Sequence, residues 1–343
     1  MRAIVIHAAR DLRVDDVDVP EVGPDEVEVR IGAGGICGSD LHYYLDGGFG
    51  AVRVKQPMIL GHEVAGVVIK VGSRVSRLRV GDKVAVNPSL PCGRCRYCLA
   101  GQPNQCLDMR FYGSAMRMPH VHGAFRETLV CKESQIFPLP AQTDLADAAF
   151  AEPLSVCMHA AAQAGPLLGK TVLVSGAGPI GALEVLVARH AGAREIVVTD
   201  LMDEPLKVAR TIGADRTVNV RTDEHDLDEY TSDKGHFDVV FEASGSRAAV
   251  GTALSLARPG AVIVQIGLGG DVQVPVNTLV AKEINWRGTF RFHEEFGWAV
   301  DAIVHRRIDV RPLLTERVPL EDAVRAFNLA ADRSNSMKVQ LVL

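Results

Sequence analysis

The first 142 residues contain short runs in which apolar and polar residues alternate, and glycine and proline recur at close intervals between them. Examples of these runs are RAIVIHA (2–8), EVEVRIGAGGI (26–36), EVAGVVIKVG (63–72) and KVAVNP (83–88). Alternation with a period of two places one set of side chains on one face of a strand. The pattern therefore predicts a small β-rich barrel or sandwich in this part of the chain.

A different pattern begins near Lys170, where apolar strands alternate with helices. The strands are predicted at 171–178, 195–200, 216–220, 237–244 and 261–267, and the helices at 179–192, 204–212 and 247–258. This alternation predicts a parallel, doubly wound α/β sheet. The last segment, 293–343, lacks this alternation of strands and helices. It contains two amphipathic helices (294–307 and 320–332) and a terminal strand, KVQLVL, and we expect it to return to the first domain.

Composition narrows the class of protein. A length of 343 residues suggests about two domains. Hydrophobic residues make up 47% of the chain and charged residues 23%, which excludes a disordered protein. A net charge of −5 without a polybasic run argues against nucleic acid and acidic membranes as partners. The longest run without a charged residue, 153–169, contains Pro166 and Gly165 and is too short for a membrane span. The charged N-terminus does not resemble a signal peptide, so we expect a cytoplasmic protein.

The segment GAGPIG (176–181) follows a predicted strand and opens a predicted helix, as a dinucleotide-binding turn requires. Gly176 permits the tight turn, Gly178 admits the diphosphate, and Gly181 lets the helix and strand pack closely. Asp200 ends the next strand, where a carboxylate accepts hydrogen bonds from ribose hydroxyls and repels a 2′-phosphate. The alternative is a glycine-rich turn with a surface aspartate. We expect NAD to be preferred over NADP by about ten- to hundredfold.

Seven cysteines occur in the chain, and four of them, Cys92, Cys95, Cys98 and Cys106, lie within 15 residues. In a cytosolic protein this density indicates metal binding rather than disulfides. Four thiolates close a tetrahedral zinc shell and leave no open position, so this site would be structural. An iron–sulfur cluster is the competing interpretation, because C-x2-C-x2-C also occurs in ferredoxins.

A second candidate metal site is dispersed over two segments. Cys37 lies in GGICGSD, and His62 and Glu63 lie in GHE. Zinc accepts sulfur, nitrogen and oxygen ligands together, and a catalytic zinc site keeps one position open for water or substrate. Taken singly, a cysteine or histidine is more often a buried core residue. Only the combination of the two segments therefore indicates a metal site.

These motifs, in this order, resemble the zinc-containing medium-chain alcohol dehydrogenase family. GHEVAGVVIKVGSRV (61–75) matches the family signature, and the four cysteines and GAGPIG follow it. GICGSDLHYY, VKQPMILGHE and GTFRF are similar to the sorbitol dehydrogenase branch; LHYYLDGGFG, FRFHEEF and DRSNSMKVQLVL are similar to bacterial L-idonate 5-dehydrogenases. The resemblance implies a GroES-like catalytic domain, 1–151 completed by 293–343, and a Rossmann NAD-binding domain, 152–292. It also implies a homotetramer, by analogy.

The resemblance assigns roles residue by residue. Cys37, His62 and Glu63 match catalytic zinc ligands, and Glu152 matches a residue that binds zinc or holds its water. Asp40 is expected to accept a hydrogen bond from His62. Ser39 would bond the substrate hydroxyl, His42 would relay its proton, and Tyr43 and Arg291 would lie near the substrate. The remaining residues expected to bind the cofactor are Pro179, Ile180, Ile266, Gly267, Leu268 and Phe290. Pro205 departs from the branch, which usually has an arginine near the adenosine.

The function implied is reversible, NAD-dependent oxidation of L-idonate to 5-keto-D-gluconate, with two zinc ions per subunit. Arg291 is the candidate for holding the carboxylate, with Arg53 and Lys55 as further basic groups before GHE. A sorbitol, L-iditol or xylitol dehydrogenase is the alternative. A non-catalytic family member and a zinc-dependent binding module are hypotheses of a different class. Neither a zinc ligand nor a glycine of the turn is missing, which argues against a non-catalytic member.

Overall fold

The computed structural model describes residues 1–343, apart from the side chain of Glu224. Its strands are β1 (Arg2–Ala8), β2 (Asp11–Asp16), β3 (Glu26–Gly35), β4 (Gly48–Phe49), β5 (Val52–Arg53), β6 (Met58–Ile59), β7 (Glu63–Val71), β8 (Lys83–Val86), β9 (Ser89–Leu90), β10 (Arg110–Phe111), β11 (Thr128–Lys132), β12 (Ile136–Leu139), β13 (Thr171–Ser175), β14 (Glu195–Asp200), β15 (Arg216–Asn219), β16 (Phe237–Glu242), β17 (Ala257–Gln265), β18 (Asn285–Gly288), β19 (Leu314–Pro319) and β20 (Lys338–Val342). Its α-helices are α1 (Gly38–Asp46), α2 (Arg96–Leu99), α3 (Leu145–Ala148), α4 (Ala151–Ala164), α5 (Pro179–His190), α6 (Asp203–Thr211), α7 (Arg247–Leu256), α8 (Val276–Ala281), α9 (Glu295–Val304) and α10 (Ala323–Ala331).

The alternating runs near the N-terminus form a β-rich body. Its main sheet has the order β12-β8-β7-β3-β20-β19, with β11 also paired to β3. In β3, most alternate side chains are buried, as the sequence pattern predicts. The terminal strand β20 lies antiparallel to β3, with Gln340 opposite Gly35. The end of the chain therefore returns to the sheet formed by its beginning.

The middle of the chain forms a six-stranded parallel sheet in the order β15-β14-β13-β16-β17-β18. All five residues of β13 are buried, as expected of a strand covered by helices on both faces. The order reverses beside β13, so that α5 and the turn after β16 meet at the carboxyl edge of the sheet. In such folds this edge is where ligands bind. The expected architecture, a β-rich domain with a doubly wound parallel sheet, is confirmed.

Helix α4 connects the two parts and was not anticipated from the sequence. Its residues are largely apolar and small, so the segment lacks the charged face that marks an amphipathic helix. Helices α9 and α10 are present but begin and end inside the predicted ranges. Among the described residues, no helix is long and apolar enough to cross a membrane.

Candidate metal centres and cofactor cleft

The four-cysteine loop (residues 92–106) brings all four sulfur atoms within 4.8 Å of one another. The Sγ atom of Cys95 lies 3.6 Å from that of Cys98 and 3.9 Å from that of Cys106. Four sulfurs each about 2.3 Å from one zinc ion would be about 3.8 Å apart, so the spacing fits a single ion. A multi-iron cluster would hold them farther apart. Backbone hydrogen bonds, the largest from the Cys98 N–H, lower the pKa of Cys95 to about 6, whereas burial raises the pKa of Cys98 to about 12.

The buried cluster (Cys37, His62 and Glu63) also has its ligand atoms within 4.8 Å of one another. Cys37 immediately precedes α1, and His62 and Glu63 stand at the start of β7. Gly35 permits this approach, because a Cβ atom there would lie 2.1 Å from a carboxylate oxygen of Glu63. His62 Nδ1 is buried and has no hydrogen-bond partner in the described part of the chain. A sulfur, a nitrogen and an oxygen gathered in this way fit a zinc ion.

Asp40 does not make the hydrogen bond expected of it. Its Oδ1 atom lies 3.9 Å from His62 Nδ1, which is too long for a hydrogen bond. The carboxylate instead accepts hydrogen bonds from the backbone N–H groups of Cys37, at 3.0 Å, and Gly61, at 3.2 Å. Asp40 therefore ties together the two segments that carry the cluster, and it orients His62 only indirectly.

Lys338 at the start of β20 is a site residue that sequence reasoning missed. It is buried, and its Nζ atom lies 2.7 Å and 2.5 Å from the two carboxylate oxygens of Glu63 and 2.9 Å from the Ile36 carbonyl oxygen. Burial favours the neutral amine, but the charges of Glu63 and Cys37 raise the pKa of Lys338. Burial raises the pKa of Glu63, and the Lys338 ammonium opposes that rise. The sequence did contain one indication of this role: a lysine is the first residue of a terminal strand whose next three residues are buried.

Glu152 lies beside the buried cluster, in the first turn of α4. Burial, with the neighbouring Glu63 and Cys37, raises the pKa of Glu152 to about 8, whereas His62 acts in the opposite direction. A cation at the cluster would lower this pKa, because it favours the charged carboxylate. Cys37 behaves similarly: burial raises the pKa of its thiol to about 12, and only a bound cation would keep it as thiolate.

Arg291 lines a cavity of about 310 Å³ that borders Cys106 of the four-cysteine loop and reaches the buried cluster only through the Phe111 ring. Its backbone has φ = 56°, a left-handed conformation that non-glycine residues rarely adopt. The guanidinium carbon lies 4.3 Å from the centre of the Phe111 ring, and that ring lies 5.5 Å from the ring of His62. Burial lowers the pKa of Arg291 to about 10, so the side chain remains cationic at neutral pH. Within the described residues Arg291 forms no ion pair.

The further basic groups expected near the cleft, Arg53 and Lys55, do not line this cavity. Arg117 lines the same cavity and is paired with Asp108. Arg53 instead donates to the carbonyl oxygens of Asp46 and Gly48 at the end of α1, and the Lys55 backbone N–H donates to His120. The sequence could not distinguish these arginines, because their distances to Arg291 depend on how separate loops pack.

Helix α1 carries the other substrate-side candidates. Ser39 is half-buried in its first turn, and His42 is exposed, with Nδ1 3.5 Å from a carboxylate oxygen of Asp46. Tyr43 is buried, and its hydroxyl oxygen accepts a hydrogen bond of 3.1 Å from the Ala115 N–H. Burial raises the pKa of Tyr43, so its hydroxyl stays neutral. The helix thus extends from the buried cluster towards solvent.

A cavity of about 260 Å³ joins the buried cluster to the glycine turn. Its lining includes Cys37, Glu63, Gly176, Gly178, Pro179, Ile180 and Gly181. A Cβ atom at Gly181 would lie 1.8 Å from the Gly176 carbonyl oxygen, so helix and turn pack only with glycine there. Helix α5 begins at Pro179 and directs its free N–H groups at the cavity. A dinucleotide seated on the turn would therefore reach towards the metal ligands.

The remaining cofactor candidates do not line this cavity; they are Ile266, Gly267, Leu268 and Phe290. The N–H groups of Ile266 and Gly267 both donate to the Glu242 carbonyl oxygen, which holds the end of β17 against the turn after β16. Leu268 is exposed beyond it, and Phe290 is half-exposed beside Arg291. The carboxylate of Asp200, at the end of β14, accepts a hydrogen bond of 2.9 Å from Arg333 Nη2. Arg333 follows α10, and no sequence pattern indicated that it would lie there.

Comparison with known proteins gives consistent matches along the chain. Residues 23–141 match the alcohol dehydrogenase GroES-like domain, and residues 179–305 match the zinc-binding dehydrogenase family. The L-idonate 5-dehydrogenase (NAD(P)(+)) of Escherichia coli (strain K12) is 48% identical over 92% of this chain and 91% of its own length. The sorbitol dehydrogenase of Bacillus subtilis (strain 168) is 36% identical over 98% of this chain and 95% of its own length.

The similarity extends to three dimensions. The crystal structure of the L-idonate 5-dehydrogenase from Escherichia coli K-12 matches with a TM-score of 0.95 and 45% sequence identity, covering 100% of this chain and 98% of that one. Similarity of this extent spans both domains. The chain therefore belongs to the zinc-binding medium-chain alcohol dehydrogenase family, as an oxidoreductase that uses zinc and a nicotinamide dinucleotide.

Proposed function

We propose that this protein catalyses the reversible oxidation of L-idonate to 5-keto-D-gluconate with NAD as the preferred cofactor. The observation that carries the proposal is Arg291, a cationic, partly buried guanidinium without an ion-pair partner in the described chain, beside the buried cluster. A guanidinium in such a position offers two parallel hydrogen bonds to a carboxylate. A neutral polyol would leave that charge unpaired.

We assign the metal roles to the residues that the sequence indicated. Cys37, His62 and Glu63 hold the catalytic zinc, and Glu152 completes its shell or holds a water on it. Cys92, Cys95, Cys98 and Cys106 hold the structural zinc. When bound, zinc supplies Lewis-acid polarisation of the substrate hydroxyl, and the dinucleotide supplies the hydride acceptor.

The proton of the substrate hydroxyl leaves along α1. Ser39 Oγ accepts it at the buried end of the helix as its own hydroxyl proton is passed on. The His42 imidazole takes up that proton and releases it to solvent, to which its ring is exposed. Tyr43 stays neutral and shapes the wall of the substrate site. The glycine turn would hold the diphosphate of the dinucleotide, and Asp200 would accept hydrogen bonds from its ribose. The nicotinamide half would be held by Ile266, Gly267, Leu268 and Phe290.

We also propose a cytoplasmic homotetramer. Strand β18 is the last strand of the six-stranded sheet, and the exposed Val276 and Val280 lie on the preceding helix α8. Pairing of such edges between subunits would cover both features. The substrate assignment does not depend on the number of subunits.

The test compares kcat/KM for L-idonate with that for L-iditol, sorbitol and xylitol. One charge-assisted hydrogen bond to the carboxylate predicts a preference of roughly ten- to hundredfold for the acid. Arg291→Met should remove most of that preference and change polyol oxidation less than about threefold. Arg311→Met is the control, because Arg311 pairs with Asp309 at the surface. Efficient oxidation of sorbitol with L-idonate inert would assign the protein to the polyol dehydrogenases.

A further inference from the structure

The carboxylate of Asp200 has no acceptor position left for a ribose. Its Oδ2 atom accepts hydrogen bonds from the Ala177 N–H at 2.8 Å and from Arg333 Nη2 at 2.9 Å. Its Oδ1 atom accepts from the N–H groups of Leu201 at 2.7 Å and Met202 at 3.1 Å. A carboxylate offers about four lone-pair sites, and four donors fill them. Ribose hydroxyls can bind only if one of these donors leaves.

Arg333 is the donor that can leave. The Ala177 N–H belongs to the glycine turn and the other two belong to the backbone after β14, so losing any of them would deform the fold. Arg333 comes from the opposite side of the cavity, and 51% of its side chain is exposed. The Asp200 side chain is only 5% exposed, so the pair is open to solvent on its arginine side alone, and the guanidinium can turn into solvent without moving the backbone.

The released guanidinium would stand next to cofactor phosphate. A Cβ atom placed on Gly178, the residue that the diphosphate approaches, would lie 3.7 Å from Arg333 Nη2. The other cation lining the cavity, Lys338, is occupied by Glu63 and the Ile36 carbonyl oxygen. The partial charge of the α5 N-terminus offsets only part of the phosphate charge. Arg333 is therefore the cation available to balance it.

We propose that Arg333 exchanges partners when the cofactor binds, passing from Asp200 to a phosphate group of the adenosine half. Asp200 then accepts the ribose hydroxyls, and the ion pair in the free protein becomes a phosphate contact in the complex. The recognised chemistry is a phosphate ester, either the 5′-diphosphate or the 2′-phosphate of NADP. The proposal rests on dinucleotide binding and is independent of the sugar acid as substrate.

The experiment measures ligand affinity in the zinc-loaded protein without substrate, by competition against NADH fluorescence. The ligands are adenosine, ADP and 2′-AMP, and the variant is Arg333→Gln. ADP should bind about ten- to a hundredfold more weakly to the variant, because a charge-assisted contact is lost. Adenosine should bind equally well or better, because Asp200 no longer has to release a cation. Arg333→Lys should restore part of the ADP affinity, and Arg325→Gln, which removes a surface ion pair with Glu316, should change nothing.

The adenosine measurement separates this exchange from a structural role. If Arg333 only held the two sides of the cavity together, adenosine and ADP would weaken in parallel, and the proposal would be overturned. Unchanged ADP and 2′-AMP affinities would overturn it as well. A loss confined to 2′-AMP would support the exchange and identify the 2′-phosphate as its target, and NADP affinity would then fall without a fall in NAD affinity.

Discussion

The four-cysteine loop and the buried cluster differ in how the chain builds them. All ligands of the loop lie within 15 residues, three of the four are only half-buried, and backbone N–H groups at Cys92 and Asp108 support the sulfur of Cys106. The cluster combines residues 37, 62 and 63 with Lys338 from the last strand, nearly all of it buried. A local site can form before the fold does, whereas a dispersed site needs the finished fold.

The two sites also differ in how the charges of their ligand groups are balanced. The half-exposed sulfur atoms of the loop face solvent and backbone N–H groups, so a single zinc ion is enough to balance four thiolates. A buried carboxylate such as Glu63 is costly unless a counter-charge accompanies it, and Lys338 provides one. The loop is consequently suited to a closed structural ion. The cluster, which borders the cofactor cavity, is suited to an ion that must still accept a substrate oxygen.

The largest effect is expected from Cys37→Ala. Loss of a ligand should remove the catalytic zinc and lower kcat/KM by roughly a thousandfold or more, because no other group polarises the hydroxyl. Elemental analysis should fall from about two zinc ions per subunit to about one. Circular dichroism should be unchanged, and Cys131→Ala, which removes a buried thiol away from both sites, should keep activity and zinc. Full activity in Cys37→Ala would disprove the assignment of this cluster.

Cys95→Ser should affect the other site and leave the catalytic ion in place. We expect about one zinc ion per subunit again, but now with a melting temperature lowered by about 10 °C, because structural zinc contributes to folding. Residual activity per catalytic zinc should stay within about threefold of the parent protein. Visible absorbance from iron and sulfide in the parent protein would instead show that the loop holds an iron–sulfur cluster.

Lys338→Met tests the counter-charge at the buried cluster. In the zinc-free protein, Glu63 would then be buried without a cation, which should lower the free energy of unfolding by about 3–5 kcal/mol. Added zinc should recover most of this loss, since the metal takes over as counter-charge. Chemical denaturation with and without zinc measures both values, and Lys207→Met on the surface is the control. Equal losses in both states would refute this role for Lys338.

The sequence revealed the features that depend on neighbouring residues. The cysteine spacing, the glycine turn after a strand and the GHE segment all carry their geometry within a few positions. Lys338 and Arg333 could not be found in this way, because each acts on a carboxylate more than 100 positions away. Asp40 illustrates the same limit: its proximity to His62 was anticipated, but its hydrogen bonds to Cys37 and Gly61 were not.

Glu184 on α5 provides the reverse case of the Glu63–Lys338 pair, a buried acid without a counter-charge. Neither carboxyl oxygen has a hydrogen-bond partner of good geometry among the described residues, and its polar neighbour is the Cys157 thiol, a weak donor. Burial raises the pKa of Glu184 well above its usual value. The unfolded chain therefore loses this proton at a lower pH than the folded protein does, and stability falls as the pH rises between the two pKa values.

Glu184→Met should therefore stabilise the protein, and more so at higher pH. Below about pH 4.3 Glu184 is protonated in both the folded and the unfolded chain. The difference in free energy of unfolding between variant and parent should therefore be small there. It should grow with pH to about 1–3 kcal/mol near pH 8, because the parent pays to keep the buried acid neutral. Denaturation curves at several pH values measure the trend, with Glu204→Met on the surface of α6 as the control. A difference that does not change with pH would show that Glu184 is compensated in the fold as fully as Glu63 is.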